Sequence, residues 1–231
     1  MIERYSLAAS PEQVGAHFSV DAHGYDKPHF NASPSQLLPV ITVKSEGLSH
    51  FYWGVAPQWA RNKSIGEKII NVRQEQILDR PAMRKSLAKF RCAIPADGFY
   101  VWRKLGKKTS IPNRFELQNK GLFSIAGFWE EYDDENGEVF HTFTMITTPA
   151  SKWVESTHDR MPAILDIENH RSWLSPDADE GTLMGVLDRS SAIVLNHYTV
   201  SPRINSPLND DPTLIIPTPP ADQFGNLTLF D

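Results

Sequence analysis

The chain is nearly without cysteine. Cys92 is the one thiol in 231 residues, which excludes an internal disulfide framework and any CxxC metal site. No His/Asp spacing suggests a metal centre either, so neither metal nor cofactor is expected. No apolar run approaches the length of a membrane-crossing helix. The charged pair Glu3-Arg4 arrives at once and no apolar leader segment follows it. These absences lead to the expectation of a soluble, cytoplasmic protein with no membrane partner. There is no internal repeat, no glycine-rich phosphate loop, and no serine or cysteine nucleophile in a glycine-flanked turn. A small-substrate hydrolase is therefore the last of the functional alternatives.

What the chain does hold is enough apolar content, 40%, for a proper core in a single domain. Its net charge of -5 argues against binding nucleic acid with the whole surface, but the charge is segregated. Between Arg61 and Arg91 nine Lys/Arg stand against three Asp/Glu, a local +6 that leaves -11 for the remainder. A second basic cluster follows at Arg103, Lys104, Lys107 and Lys108. A phosphate-binding face on an acidic body has this distribution, and so does a solvated helix face with a hairpin tip.

Ser10-Pro11-Glu12-Gln13 has the form of a helix start, with Ser as N-cap, Pro at the first helical position and Gln closing a capping box. That helix should run to about Val20 and bury Val14 and Phe18. Phe30 to Pro34 reads as a loop, and 37–43 with 51–53 as two strands of a hairpin or meander. Trp53 belongs to the core, while Trp59, beside Ala60-Arg61-Asn62-Lys63, belongs to an exposed loop. A short helical patch follows Asn71 to Glu75, and a capped helix is expected from Pro81 to Phe90. Strands then recur at 91–95, 98–102, 113–117, 122–129 and 139–147. Two Asp-capped helices are expected near 167–174 and 182–187, and a last strand near 193–200. Repeated strands with only short helices between them predict a largely antiparallel α+β fold and exclude βαβ winding. Residues 1–205 form the domain, and the Pro-rich 206–231 wraps or dangles as a tail.

One polar triplet draws the chemistry. Thr157-His158-Asp159-Arg160-Met161-Pro162 precedes the apolar Ala163-Ile164-Leu165, so if that run is a strand the triplet forms the turn feeding it. Imidazole titrates nearest neutrality, which makes His158 the candidate general base or acid. The plain alternative is a loop histidine beside a salt-bridged Asp159.

Several of these stretches, in this order, resemble the SOS-response-associated peptidase (SRAP) family, whose members shield abasic sites in single-stranded DNA. The matching pieces are Glu3-Arg4-Tyr5, Phe30-Asn31-Ala32-Ser33-Pro34 and Trp53-Gly54-Val55-Ala56-Pro57-Gln58-Trp59. They continue with Asn71-Val72-Arg73-Gln74-Glu75, Ala96-Asp97-Gly98-Phe99-Tyr100-Val101-Trp102 and the His158 segment. Together they run from residue 1 to about 205. The resemblance implies a single domain with a barrel-like core flanked by short helices, and abasic single-stranded DNA as partner. The family's chemistry joins an N-terminal cysteine to the abasic aldehyde as a thiazolidine, with an asparagine, a glutamate and a histidine around it. The resemblance assigns the asparagine to Asn71 and the histidine to His158. It makes Arg4, Arg73 and Arg160 the phosphate-facing arginines, and places Asn31, Pro34 and Trp59 on the loops that meet the bases.

Two positions depart from that pattern. The cysteine position holds Ile2 and the glutamate position holds Val101. Isoleucine has no nucleophilic atom, and Val101 removes the carboxylate that would move protons. Cys92 is no substitute, because it lies in an apolar run expected to be a buried strand. Ile2 is also large enough that Met1 is expected to be retained, and its α-amine could still form a Schiff base with an aldehyde. The sequence therefore leaves open whether the protein is an enzyme. The first reading is a binder of abasic single-stranded DNA in the DNA-damage response whose cross-linking and autoproteolysis are lost or weakened. The alternative is a non-enzymatic adaptor on the replication sliding clamp. Asn226-Leu227-Thr228-Leu229-Phe230 is similar to the short peptide that docks in the bacterial clamp, with Leu227, Leu229 and Phe230 as apolar anchors.

Overall fold

A computed structural model describes residues 2–54, 69–106, 109–133 and 137–228. The strands are β1 (Tyr5–Leu7), β2 (His29–Ala32), β3 (Leu37–Thr42), β4 (Ser49–Trp53), β5 (Asn71–Arg73), β6 (Arg91–Ala96) and β7 (Gly98–Lys104). They continue with β8 (Ser110–Leu117), β9 (Phe123–Asp133), β10 (Val139–Pro149), β11 (Arg160–Pro162), β12 (Ile164–Leu165) and β13 (Leu195–Thr199). The helices are α1 (Pro11–Phe18), α2 (Pro81–Lys89), α3 (Ile167–Leu174) and α4 (Glu180–Arg189).

The larger sheet closes on itself. Neighbours run β10-β4-β3-β6-β9, and β9 pairs back onto β10 from Asp133↔Val139 to Gly127↔Met145. Closure brings strands close at Gly127, where an added Cβ would lie 2.7 Å from both Ile94 Cδ1 and Thr144 O. Only glycine fits there. The smaller sheet runs β13-β8-β7-β1-β2. Consecutive strands β6 and β7 belong to different sheets, so the chain crosses between them at Asp97.

The α+β single-domain reading holds, with two refinements. Pairing is largely antiparallel, but β10 runs parallel to both β4 and β5. Phe30 and Asn31, expected in a loop, lie in β2, whose antiparallel partner is β1.

The helix signals worked as chemistry. Ser10 and Gln13 make the reciprocal capping box of α1, and Val14 and Phe18 are buried. Asp166 and Asp179 cap α3 and α4 through their side chains. Arg80 at the N-cap of α2 makes no side-chain cap bond, so Pro81 alone marks that start.

The main core fills the space between the sheets and takes in Ile2, Tyr5, Trp53, Cys92 and Val101. A second core, with Val72, Phe128, Trp173 and Leu187, lies under α2, α3 and α4. Residues 206–228 wrap back onto the body. Leu214 is buried with Tyr100, Val200 and Ile204, Thr218 N–H donates to Thr199 O at 2.9 Å, and Ser110 N–H donates to Gln223 Oε1 at 2.9 Å. No helix among the described residues is long and apolar enough to cross a membrane, and they contain no cluster of three metal-ligating side chains.

Candidate functional site

The first residues of the chain are held alongside β7. Tyr5 pairs with Phe99, and Tyr100 N–H donates to Arg4 O at 3.1 Å, so the ladder continues toward the amino end beside Val101. Below it a buried network fixes the strand. Arg114 reaches Asp97 Oδ1 at 2.8 Å and Ser6 Oγ at 3.2 Å, and also bonds Glu116. Ser6 Oγ donates to Asp97 at 2.6 Å. An added Cβ on Gly98 would lie 2.6 Å from the Arg114 guanidinium, so glycine there is what lets the arginine cross under β7.

From the other side β5 brings Asn71, whose Nδ2 donates to Ile2 O at 2.7 Å. Ile2 is fully enclosed and Val101 is 2% exposed. Both belong to one apolar cluster. The remaining oxygen, Asn71 Oδ1, is buried with no hydrogen-bond partner among the described residues, as is Arg4 Nε. Arg4 is half-buried, its Nη1 donates to Glu3 O at 2.7 Å, and burial lowers its pKa.

β10 carries the neighbouring strands β5 and β11 on its two edges, with Thr147 opposite Arg73 on one and Pro162 on the other. The turn before β11 holds His158. Its Nδ1 accepts the Arg160 backbone N–H at 2.9 Å, which leaves the proton of the neutral ring on Nε2. Asp159 Oδ1 is also 2.9 Å from Nδ1, a contact that attracts only an imidazolium. Burial lowers the His158 pKa, and Asp159 opposes that without reversing it. At neutral pH the ring is therefore uncharged, with Nδ1 occupied as an acceptor.

Arg160 is 9% exposed, and both of its Nη groups are engaged. Its Nη1 lies 2.5 Å from Glu75 Oε1 and its Nη2 3.0 Å from Glu75 Oε2. Nη2 also donates to Thr147 O at 2.5 Å and Thr147 Oγ1 at 3.2 Å. Glu75, in the 3-10 turn Gln74–Gln76 that follows β5, has a pKa held down by the Arg160 hydrogen bond, with the charges of Arg160 and Arg73 adding to it. The sequence quoted Glu75 only as part of a matching motif. The signal that could have singled it out is an acid two residues after an arginine on a site strand. Arg73 itself is exposed.

The structure thus brings Ile2, Asn71, Arg4 and Val101 to one end of the strand ladders, with Arg73, His158 and Arg160 on the strand group around β10. It sets Asn31 apart. That residue is fully buried, and its Nδ2 donates to the carbonyls of Ile204, Ser206 and Asn209 at 3.3, 2.9 and 2.8 Å. Asp210 caps the same strand through the N–H groups of Phe30 and Asn31. Asn31 is therefore a buried tie to the tail, with no free amide proton to present from a loop. Pro34 does lie in the turn between β2 and β3, half-buried. Trp59, Leu229 and Phe230 lie outside the described residues, as do Arg61, Lys63, Lys68, Lys107 and Lys108.

Part of the basic segment also serves the fold. Arg91 is buried and donates to the carbonyls of Trp173, Leu87, Ala88 and Ser175, and Arg84 pairs with Glu180 of α4 at 2.9 Å.

The chain is 38% identical over 221 residues to abasic site processing protein YoqW of Bacillus subtilis (strain 168), covering 93% of this chain and 99% of that protein. It is 36% identical over 221 residues to abasic site processing protein YoaM of the same organism, covering 93% and 97%. The crystal structure of a protein from Bacteroides thetaiotaomicron superposes with a TM-score of 0.79 at 26% identity, covering 93% of this chain and 99% of that one. The family description "SOS response associated peptidase (SRAP)" matches residues 1–207. With nearly the whole chain matched, this protein belongs to the SRAP family.

Proposed function

We propose that the protein binds abasic sites in single-stranded DNA and lacks the family's covalent chemistry. The single observation carrying this reading is the pair Ile2 and Val101. By the family resemblance both stand at the chemical positions, both are apolar, and both are buried in one cluster. A thiazolidine needs a thiol on the residue whose carbonyl Asn71 holds, and isoleucine supplies none. The surroundings are retained: Asn71 still anchors Ile2, a neutral His158 precedes Arg160, and Arg4 and Arg73 bring positive charge beside them. Arginine suits phosphate through its planar fork, and a cationic track with stacking side chains is how single strands are held without sequence preference. On this reading His158 is a wall residue of the pocket.

The test is incubation with abasic single-stranded DNA and with an intact control, read by native and then denaturing electrophoresis. The expected result is a shift on the native gel and no heat-stable adduct on the denaturing one. A robust adduct formed by the unaltered protein refutes the loss of chemistry. The variant carrying Ile2→Cys and Val101→Glu is expected to gain the adduct once Met1 is removed.

A second reading, docking on the replication sliding clamp through the tail, is favoured by one observation. Leu227 is 62% exposed at the end of a small antiparallel closure with Ala221, in which Asn226 Nδ2 donates to Asp222 Oδ2 at 3.1 Å. Pull-down by a bacterial clamp, with and without residues 226–231, separates the two readings, which are compatible.

A further inference from the structure

We propose that Glu75 is a built-in carboxylate occupying the anion position of Arg160, so that DNA phosphate has to compete with it for the arginine. This rests on the DNA-binding reading above and concerns how that site is regulated. A guanidinium has two paired edges with which to grip an oxyanion. In Arg160 the Nη1/Nη2 fork is closed by both oxygens of Glu75, and Nη2 also donates to Thr147 O and Oγ1. The two partners differ in exposure. Arg160 is 9% exposed, while the Glu75 side chain is 51% exposed. Among the described residues, the anion that meets the arginine is therefore a carboxylate open to solvent.

Two further observations point the same way. Arg160 Nε is buried with no hydrogen-bond partner among the described residues, so Glu75 holds the guanidinium through its two Nη groups and leaves Nε unused. The charge of Arg73, exposed two residues before Glu75, also acts on the carboxylate. Glu75 thus lies between an enclosed arginine and an exposed one, where a bridging phosphate would lie. It sits in a one-turn 3-10 segment on the surface, so its side chain can rotate toward solvent without unpairing β5.

A purely structural brace predicts the opposite result on substitution, and this decides the matter. If Glu75 holds Arg160 in place for DNA, removing its charge weakens binding. If it competes, removing its charge strengthens binding, because a negative charge beside the phosphate is gone and a positive one is freed.

The experiment measures binding of labelled abasic single-stranded DNA by fluorescence anisotropy across a salt series. It uses the unaltered chain, Glu75→Gln, Glu75→Asp, and Glu75→Gln combined with Arg160→Gln. Glu75→Gln is isosteric and still accepts one Arg160 N–H, and its fold is verified by circular dichroism melting. It is expected to bind about three- to tenfold tighter, with the slope of log K against log salt steeper by about 0.7 for one more neutralised phosphate. Glu75→Asp keeps the charge and is expected to stay well short of that gain. Adding Arg160→Gln to Glu75→Gln is expected to abolish the gain. Equal or weaker binding by folded Glu75→Gln, where the unaltered chain binds, overturns the competition and leaves the DNA reading standing. No binding by the unaltered chain overturns the DNA reading, and the competition with it.

Discussion

Acid should unfold this protein earlier than its carboxylates alone would require, and the cause is His170. The ring is 4% exposed on α3. Its Nδ1 is 2.8 Å from Ser124 Oγ on β9, and Phe18 of α1 packs at 4.8 Å between ring centroids. Burial, first, and then the charges of His17 and Arg171 lower its pKa from 6.5 to about 4. The direction of the effect follows from proton counting. As pH falls below 6.5 the unfolded chain takes up a proton that the folded chain refuses until about 4, so stability is lost through that window and no further below it. A gap of about 2.5 pH units at about 1.4 kcal/mol each is worth roughly 3.5 kcal/mol, of which about 3 kcal/mol is lost by pH 4.5, a large share of the 5–15 kcal/mol typical of a domain. His17, whose pKa burial also lowers, acts in the same direction. The assay is urea denaturation at intervals from pH 7.5 to 4.5. It compares the unaltered chain with a variant carrying His170→Phe and Ser124→Ala, which removes both hydrogen-bond partners and so leaves neither unpaired. The variant's stability should decline with acid by about 3 kcal/mol less. Identical pH dependence in the two chains would refute the reasoning, whatever their absolute stabilities.

Other outcomes follow from single contacts. Asn31→Ala removes three hydrogen bonds to the tail and should cost about 1–3 kcal/mol, with faster limited proteolysis near residues 206–210 as the direct readout. Arg91→Met leaves four carbonyls without their donor and should lower stability by about 3 kcal/mol or more in a denaturant melt, with α2 and α3 losing amide-exchange protection first. Gly127→Ala forces a Cβ against Thr144 O, a backbone atom, and should destabilise by about 1–3 kcal/mol while the neighbouring Ala126→Gly costs less.

How much of this was legible in the sequence depended on whether the signal was local. Capping boxes and Asp caps act over three residues, so α1, α3 and α4 were readable from Ser10, Asp166 and Asp179. The β3–β4 meander and the burial of Trp53 and Cys92 followed from apolar runs. The position of β2 did not, because Phe30-Asn31-Ala32 is short and flanked by turn residues. What makes it a strand is pairing with β1 and capping by Asp210, some 180 residues away. The same distance hid the role of Asn31, whose three acceptors lie on 204–209. Arg160 shows the other limit. The family resemblance marked it as a phosphate contact, yet a motif match carries no information about a carboxylate 85 residues away that closes its fork. The parallel pairing of β10 with β4 and β5 was likewise invisible, since periodicity shows which residues share a face and leaves strand direction open.

Whether position 101 retains any wiring for a carboxylate can be asked without DNA. Val101 is 2% exposed inside the main core, so Val101→Glu would place an ionisable group in an apolar setting. Burial disfavours the charged form and raises its pKa above the unfolded value near 4.3. A group raised in this way is harmless below the unfolded pKa, and its cost grows as pH rises toward the folded pKa. The stability deficit of Val101→Glu against the unaltered chain should therefore widen by up to about 1.4 kcal/mol per pH unit between pH 5 and the raised folded pKa. Taking the difference at each pH cancels the opposite slope of His170. A deficit that stays constant with pH would mean that the carboxylate finds a compensating donor or cation in place. The pocket would then have kept its proton-handling partners after losing the carboxylate they served. A widening deficit means that the carboxylate finds no such partner in place, a stability cost that the Ile2→Cys, Val101→Glu variant carries when it is tested for the adduct.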